Sequence, residues 1–113
     1  MSEIKPTIAL VHGAFAESAL MAATQRPVTQ LALSEGLRAD VPAWRQVPSW
    51  FVYGDQDLNI PAALQRFAAE RAGARGTSEI AGGSHALSVS CPDAVTATIL
   101  EAVGALEGAH AAT

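Results

Sequence analysis

Pro48-Ser49-Trp50-Phe51-Val52-Tyr53-Gly54-Asp55-Gln56-Asp57-Leu58-Asn59-Ile60-Pro61 is the stretch on which the fold of this chain turns. Its first half is an apolar run opened by Pro48 and closed by Gly54, as expected of a strand buried on both faces. Its second half is polar and ends in Pro61, a residue suited to the first turn of a helix. A buried strand, a short acidic loop and a helix start in direct succession predict one half of a parallel βαβ unit.

The same pattern recurs on either side. Thr7-Ile8-Ala9-Leu10-Val11-His12 is a second apolar run and ends in Gly13, and Thr77 to Ala81, between Gly76 and Gly82-Gly83, reads as a shorter edge strand. A helix is predicted from Pro61 to about Ala74, with Leu64, Phe67, Ala68 and Ala72 on one face and Gly73 or Gly76 to end it. Another runs from Pro92 to about Leu106, where Val95, Ile99, Val103 and Leu106 repeat at intervals of three and four, and Ser90 with Asp93 resembles a capping box. Ala16 to Ala23 and Val28 to Glu35 read as helical, broken by Pro27, and residues 36 to 48 as a loop. The expected architecture is α/β: a small three-layer βαβαβα unit with about three parallel strands, in a single domain over residues 1–113.

Composition bounds what such a unit can be. Half of the 113 residues are apolar, but 24 of those are alanine, which favours helix and leaves few large side chains for a core. A net charge of −4 with seven scattered Lys and Arg provides no basic stripe and argues against a nucleic-acid partner. No apolar run approaches the roughly 20 residues that cross a bilayer, so no membrane partner is expected. Lys5, Ile8 to Val11 and Ala14-Phe15-Ala16 imitate a secretion signal weakly, but His12 and Gly13 interrupt the apolar stretch and Glu3 sits where positive charge belongs. Cys91, the one cysteine, has no internal partner and fits a reducing compartment, so a cytoplasmic location is expected.

In open parallel sheets, ligands bind outside the carboxyl ends of the strands. Those ends carry His12-Gly13-Ala14-Phe15, Gly54-Asp55-Gln56-Asp57 and Gly82-Gly83-Ser84-His85. A carboxylate and an imidazole at neighbouring strand ends suggest a base and its orienter, with Asp57 accepting from His85, and Gly13-Ala14 offers backbone N–H groups for an oxyanion. The plainer readings are that His85 is a hydrogen-bonded loop residue and that Asp57 caps the helix start at Asn59-Ile60-Pro61. Trp50 and Tyr53 read as strand core rather than pocket, and Trp44 as either. A metal site from His12, Asp55, Asp57 and His85 has permissible ligands without a recognised spacing, so no metal and no cofactor are expected.

Taken together, these segments resemble the α/β-hydrolase family, in particular its small esterase-like serine hydrolases. Residues 7–15 are similar to the strand and HG turn that open such proteins, residues 48–61 to the acid-bearing strand and loop, and Gly82-Gly83-Ser84-His85 with the last helix to the histidine loop. The resemblance covers residues 5 to 17 and about 43 to 107. It implies that Asp57 is the triad acid, His85 the base, and Gly13 and Ala14 part of the oxyanion turn, with Asp55 the lesser candidate for the acid. The family's nucleophile elbow, G-x-S-x-G, is missing from the sequence, and no nucleophile is assigned. An internal deletion joined near residues 18 to 20 accounts for the gap and makes this a truncated α/β-hydrolase fold.

Two functions follow from this reading. One is an esterase-like protein for small ester or similar acyl substrates that keeps acid and base without the serine, so that hydrolysis is weak or nil. The other is a non-catalytic module that binds a small molecule or forms a homo-oligomer through exposed strand edges.

Overall fold

A computed structural model describes residues 7–9 and 19–111. In chain order it contains α1 (Ala19–Thr24), α2 (Gln30–Ser34), a 3-10 turn (Ala43–Arg45), β1 (Trp50–Gly54), α3 (Ala62–Ala72), β2 (Gly76–Ile80), α4 (Leu87–Ser90) and α5 (Pro92–Ala111). β1 and β2 pair in parallel, in register from Trp50 opposite Gly76 to Gly54 opposite Ile80. β1–α3–β2 is therefore the βαβ unit that the opening stretch predicts, and the expected edge strand is β2.

Side-chain alternation places the helices on opposite faces of this sheet. Tyr53 and Glu79 lie side by side on one face, where the Tyr53 hydroxyl donates to Glu79 Oε2 at 3.1 Å and Arg66 of α3 donates to the same oxygen at 2.7 Å. On the other face Trp50 and Gly76 are neighbours, and the side chain of Glu101 from α5 lies against Gly76. The result is three layers, α3, sheet and α5. Among the described residues its buried apolar side chains are Tyr53, Ala69, Ala86, Leu87 and Ala102, and the three alanines among them allow close approach while removing little apolar area from water.

Three expectations are corrected. Among the described residues the sheet has two strands rather than about three: Thr7–Ala9 adopt no strand conformation, and Leu10 to His12 lie outside the described residues. Thr7–Ala9 instead line a cleft with Val47, Pro48 and Trp50, and Pro48 has no N–H to donate to a neighbouring strand. The inward face of α3 is the predicted one only at its alanines. Ala69 is buried and Ala62, Gln65, Ala68 and Ala72 are half-buried, whereas Leu64 and Phe67, expected on the same face, are 55% and 57% exposed. Size was the misleading criterion, since the helix lies close to β1 through its smallest residues. Finally, the Ser90 hydroxyl donates back to Ala86 O at 3.2 Å, so the capping box with Asp93 is replaced by a bond within α4.

The remaining boundaries follow local chemistry. Gly73 ends α3 in the left-handed conformation (φ 61°, ψ 42°), with its N–H directed to the carbonyls of Ala69 and Glu70. Thr29 caps α2 by accepting from the Ala32 N–H at 3.2 Å, after the break at Pro27. Ala16 to Ser18, the expected beginning of the first helix, lie outside the described residues.

At the carboxyl end of the sheet the backbones of Gly54 and Gly83 touch. A Cβ on Gly83 would sit 2.9 Å from Gly54 Cα and 2.9 Å from Leu87 Cδ1, and one on Gly54 would run into the Gly83 carbonyl. Gly83→Ala is expected to cost about 3 kcal/mol of unfolding free energy, as overpacking against backbone does, whereas Phe67→Gln on the exposed face of α3 should change it by no more than about 0.5 kcal/mol. Urea denaturation of the two variants checks both.

Candidate active site

The loop after β1 and the loop after β2 are tied together before any side chain is considered. The Asp55 N–H donates to Ile80 O at 3.1 Å and the Gln56 N–H to Gly83 O at 2.9 Å. Gly83 N–H closes a turn on Ile80 O at 3.0 Å, with Gly82 in its third position at φ 72°, as in a type II turn. Asp55 Oδ1 accepts the Gly82 N–H at 2.7 Å. Asp55 is thus a brace between the loops rather than the partner of His85.

Asp57 is that partner. Asp57 Oδ2 lies 2.8 Å from His85 Nδ1, and the two side chains are only 4% and 7% exposed. Each oxygen of this carboxylate has a separate task. Oδ1 accepts the N–H groups of Asn59 at 2.8 Å and Ile60 at 2.9 Å, which shapes the start of α3, while Oδ2 accepts from Gln65 Nε2 at 2.9 Å and from His85. Helix capping and imidazole orientation are combined in one residue, and its acceptor sites are filled.

Burial pushes the Asp57 carboxyl upward, but the hydrogen bonds from the Ile60 N–H, His85 and the Asn59 N–H outweigh it and hold the group below its ordinary value. Asp57 is therefore a carboxylate at neutral pH and can only accept. The proton between the two residues belongs to His85 Nδ1, which leaves the lone pair of the neutral ring on Nε2. Nε2 is buried and has no hydrogen-bond partner among the described residues. A buried acceptor without a partner is costly and is the atom a reaction would use.

Among the described residues no serine supplies a partner. Ser84 Oγ accepts from the Ala86 N–H at 3.2 Å, the Ser34 and Ser90 hydroxyls donate to Leu31 O and Ala86 O, and Ser78 sits within β2 opposite Val52. Ser49 Oγ is buried without a partner too, but it precedes β1 and so lies at the opposite end of the sheet. Among the described residues no group of three or more His, Cys, Asp or Glu is arranged to hold a metal ion. His12, Gly13 and Ala14, and with them the proposed oxyanion turn, lie outside the described residues.

Trp44, Trp50 and Tyr53 do not line a common pocket. Trp44 has the guanidinium groups of Arg45 and Arg71 over its ring at 5.0 and 4.8 Å, beside a groove of about 490 Å³ at the carboxyl end of α3. Trp50 lines the cleft of about 280 Å³ with Ile8, Pro48, Ile99 and Leu106. Tyr53 is 4% exposed, and burial followed by its bond to Glu79 raises its hydroxyl above the ordinary tyrosine value. Two contributors escape sequence reasoning. Gln65 binds Asp57 from eight residues further along the chain, and the Tyr53–Glu79–Arg66 group joins β1, β2 and α3. The signal for Gln65 was present, since a polar residue one turn into α3 and on its sheet-facing side requires a partner.

The profile of the alpha/beta hydrolase family matches residues 5–98, and the chain belongs to that family. No significant match was found among curated proteins or among solved structures. Among the described residues, no helix is long and apolar enough to cross a membrane.

Because the folded value of Asp57 is depressed, its contribution to stability is complete above the ordinary carboxyl range and is lost as the pH falls through the folded value. Unfolding free energies of the wild type and Asp57→Asn should therefore differ most near neutral pH and converge between about pH 4 and pH 2. A constant difference across that range would contradict the assignment.

Proposed function

We infer that this α/β hydrolase chain retains a proton-transfer dyad, Asp57 and His85, without the serine that the dyad would serve. The observation that carries the reading is the 2.8 Å bond from His85 Nδ1 to Asp57 Oδ2 together with the unpartnered Nε2. In a complete triad that lone pair receives the nucleophile's proton. G-x-S-x-G does not occur in this sequence and no hydroxyl of the described residues meets the lone pair, so the substrates are small esters hydrolysed slowly by water. Asp57 fixes the tautomer and stabilises the imidazolium formed as the proton moves, and Gln65 holds Asp57 in place. The backbone N–H groups at Gly13 and Ala14 are the proposed oxyanion donors.

Purified protein is expected to hydrolyse p-nitrophenyl acetate weakly but above the buffer rate. His85→Ala should return the rate to the buffer value, and Asp57→Asn should lower it by about a hundredfold or to background, the loss typical of disabling a general base. Turnover that survives His85→Ala would remove the dyad from the reaction.

A second reading, self-association, is favoured by the segment before β1. Leu31, Leu33, Leu37, Val41 and Val47 are 63%, 54%, 74%, 54% and 59% exposed. Light scattering on the eluting protein should give a mass above that of one chain, and substituting Leu31, Leu33 and Leu37 by Gln should restore the monomer mass.

A further inference from the structure

The carboxyl end of α3 carries a group of charged side chains that the Asp57–His85 dyad does not use. A groove of about 490 Å³ opens there, lined by Trp44, Arg45, Glu70, Arg71 and Gly73 among others. Its volume falls within the roughly 300–1,000 Å³ of small-molecule sites. Asp57 shapes the start of the same 11-residue helix, which at 1.5 Å per residue is roughly 16 Å long, so the groove is separate from the dyad.

Backbone bonds fix both walls. On one side the 3-10 turn is closed by the Arg45 N–H on Pro42 O at 3.0 Å and the Val47 N–H on Ala43 O at 2.9 Å. On the other, Gly73 ends α3 at φ 61°, and the Arg75 N–H joins the chain beyond it to Ser49 O, just before β1, at 2.8 Å. One guanidinium from each wall converges on a single indole: Arg45 Cζ is 5.0 Å and Arg71 Cζ 4.8 Å from the centre of the Trp44 ring. Arg71 alone is explained by its place in the last turn of a helix, where a cation meets the negative end of the macrodipole. Arg45 belongs to the opposite wall and has no such reason to be there.

Two like charges gathered at one ring repel each other, and an anion that meets both removes the repulsion. A guanidinium over an aromatic ring forms no hydrogen bond with it and keeps its N–H fork for a planar acid. Among the described residues neither fork pairs with a carboxylate. Glu70 lines the same groove, which is therefore not uniformly positive. The arginines attract one carboxylate, whereas Glu70 repels a second and accepts from a hydroxyl or amino group instead.

We propose that this groove binds an aromatic monocarboxylate whose ring also carries a hydroxyl or amino group, a ligand of the hydroxybenzoate type. The acid group sits on the Arg45 and Arg71 forks, the ring packs against Trp44, and the donor is directed to Glu70.

The test titrates the 15N-labelled full chain with 4-hydroxybenzoate, terephthalate and inorganic phosphate, and follows the indole N–H signals of Trp44 and Trp50 and the Nε–H signals of the arginines. Loss of one indole signal in Trp44→Phe assigns the pair. With 4-hydroxybenzoate, saturable shifts are expected at Trp44, Arg45 and Arg71 but not at Trp50, with a Kd of about 1 mM, as suits so small a ligand. Arg45→Gln and Arg71→Gln should each weaken binding by at least about tenfold, the loss typical of a charge-assisted hydrogen bond. Terephthalate should bind wild type at least about tenfold more weakly than 4-hydroxybenzoate, and Glu70→Gln should close most of that gap. The ranking of ligands on wild type requires no variant to fold. A nonspecific basic surface prefers the more highly charged ligand, so terephthalate or phosphate binding as tightly as 4-hydroxybenzoate overturns the proposal. No saturation at Trp44 below about 20 mM, or undiminished shifts in both arginine variants, overturns it as well.

Discussion

The contact between the backbones of Gly54 and Gly83 sets the position of everything at the carboxyl end of the sheet. Parallel pairing brings Gly54 opposite Ile80, and from there the two chains leave the sheet side by side only because neither glycine carries a Cβ. Two backbone bonds and the Asp55 carboxylate then lock the loops to each other. Asp57 and His85 stand 28 residues apart in sequence and 2.8 Å apart in space as the consequence of that lock. A looser pair of loops would leave the carboxylate and imidazole in the same region without a shared proton.

The chemistry of the dyad follows from an imbalance between its two members. Asp57 has every acceptor site filled, by two backbone N–H groups, a glutamine amide and the imidazole. His85 has one nitrogen bound and the other buried without a partner among the described residues. The carboxylate therefore stays charged and fixed, and whatever reactivity the pair possesses is concentrated on a single lone pair. A family member with a serine at that point would spend the lone pair on a hydroxyl proton. Among the described residues of this chain no hydroxyl lies within hydrogen-bond distance of Nε2.

Thin packing is the other face of the same architecture. The three layers are held together largely by alanines and one tyrosine, while several large apolar residues, Leu58, Leu64 and Phe67 among them, point outward. Helix α3 meets β1 through Ala69 and the half-buried Ala62, Gln65 and Ala72 because small side chains let the two backbones approach. Hydropathy ranks Leu64 and Phe67 above those residues, so a sequence pattern weighted by side-chain size turns two exposed side chains inward. The ionic group of Tyr53, Glu79 and Arg66 supports the same junction from the side, with Tyr53 buried and Arg66 at the surface.

Local sequence was enough to determine β1, the acidic loop, α3 and a glycine end for it at Gly73 or Gly76, β2 and the apolar stripe of α5, because each depends on short-range periodicity and on residues with restricted or permissive backbones. It also brought forward Asp57 and His85, since strand ends in a parallel sheet collect polar residues that have few structural reasons to be there. Tertiary structure alone decided that Asp55 braces the two loops, that Gln65 completes the carboxylate's shell, and which residues of α3 are inside. It also decided that Thr7–Ala9 do not extend the sheet. Each of those outcomes depends on distances between segments far apart in the chain, and an amino-acid pattern carries periodicity along one segment but not the spacing between two.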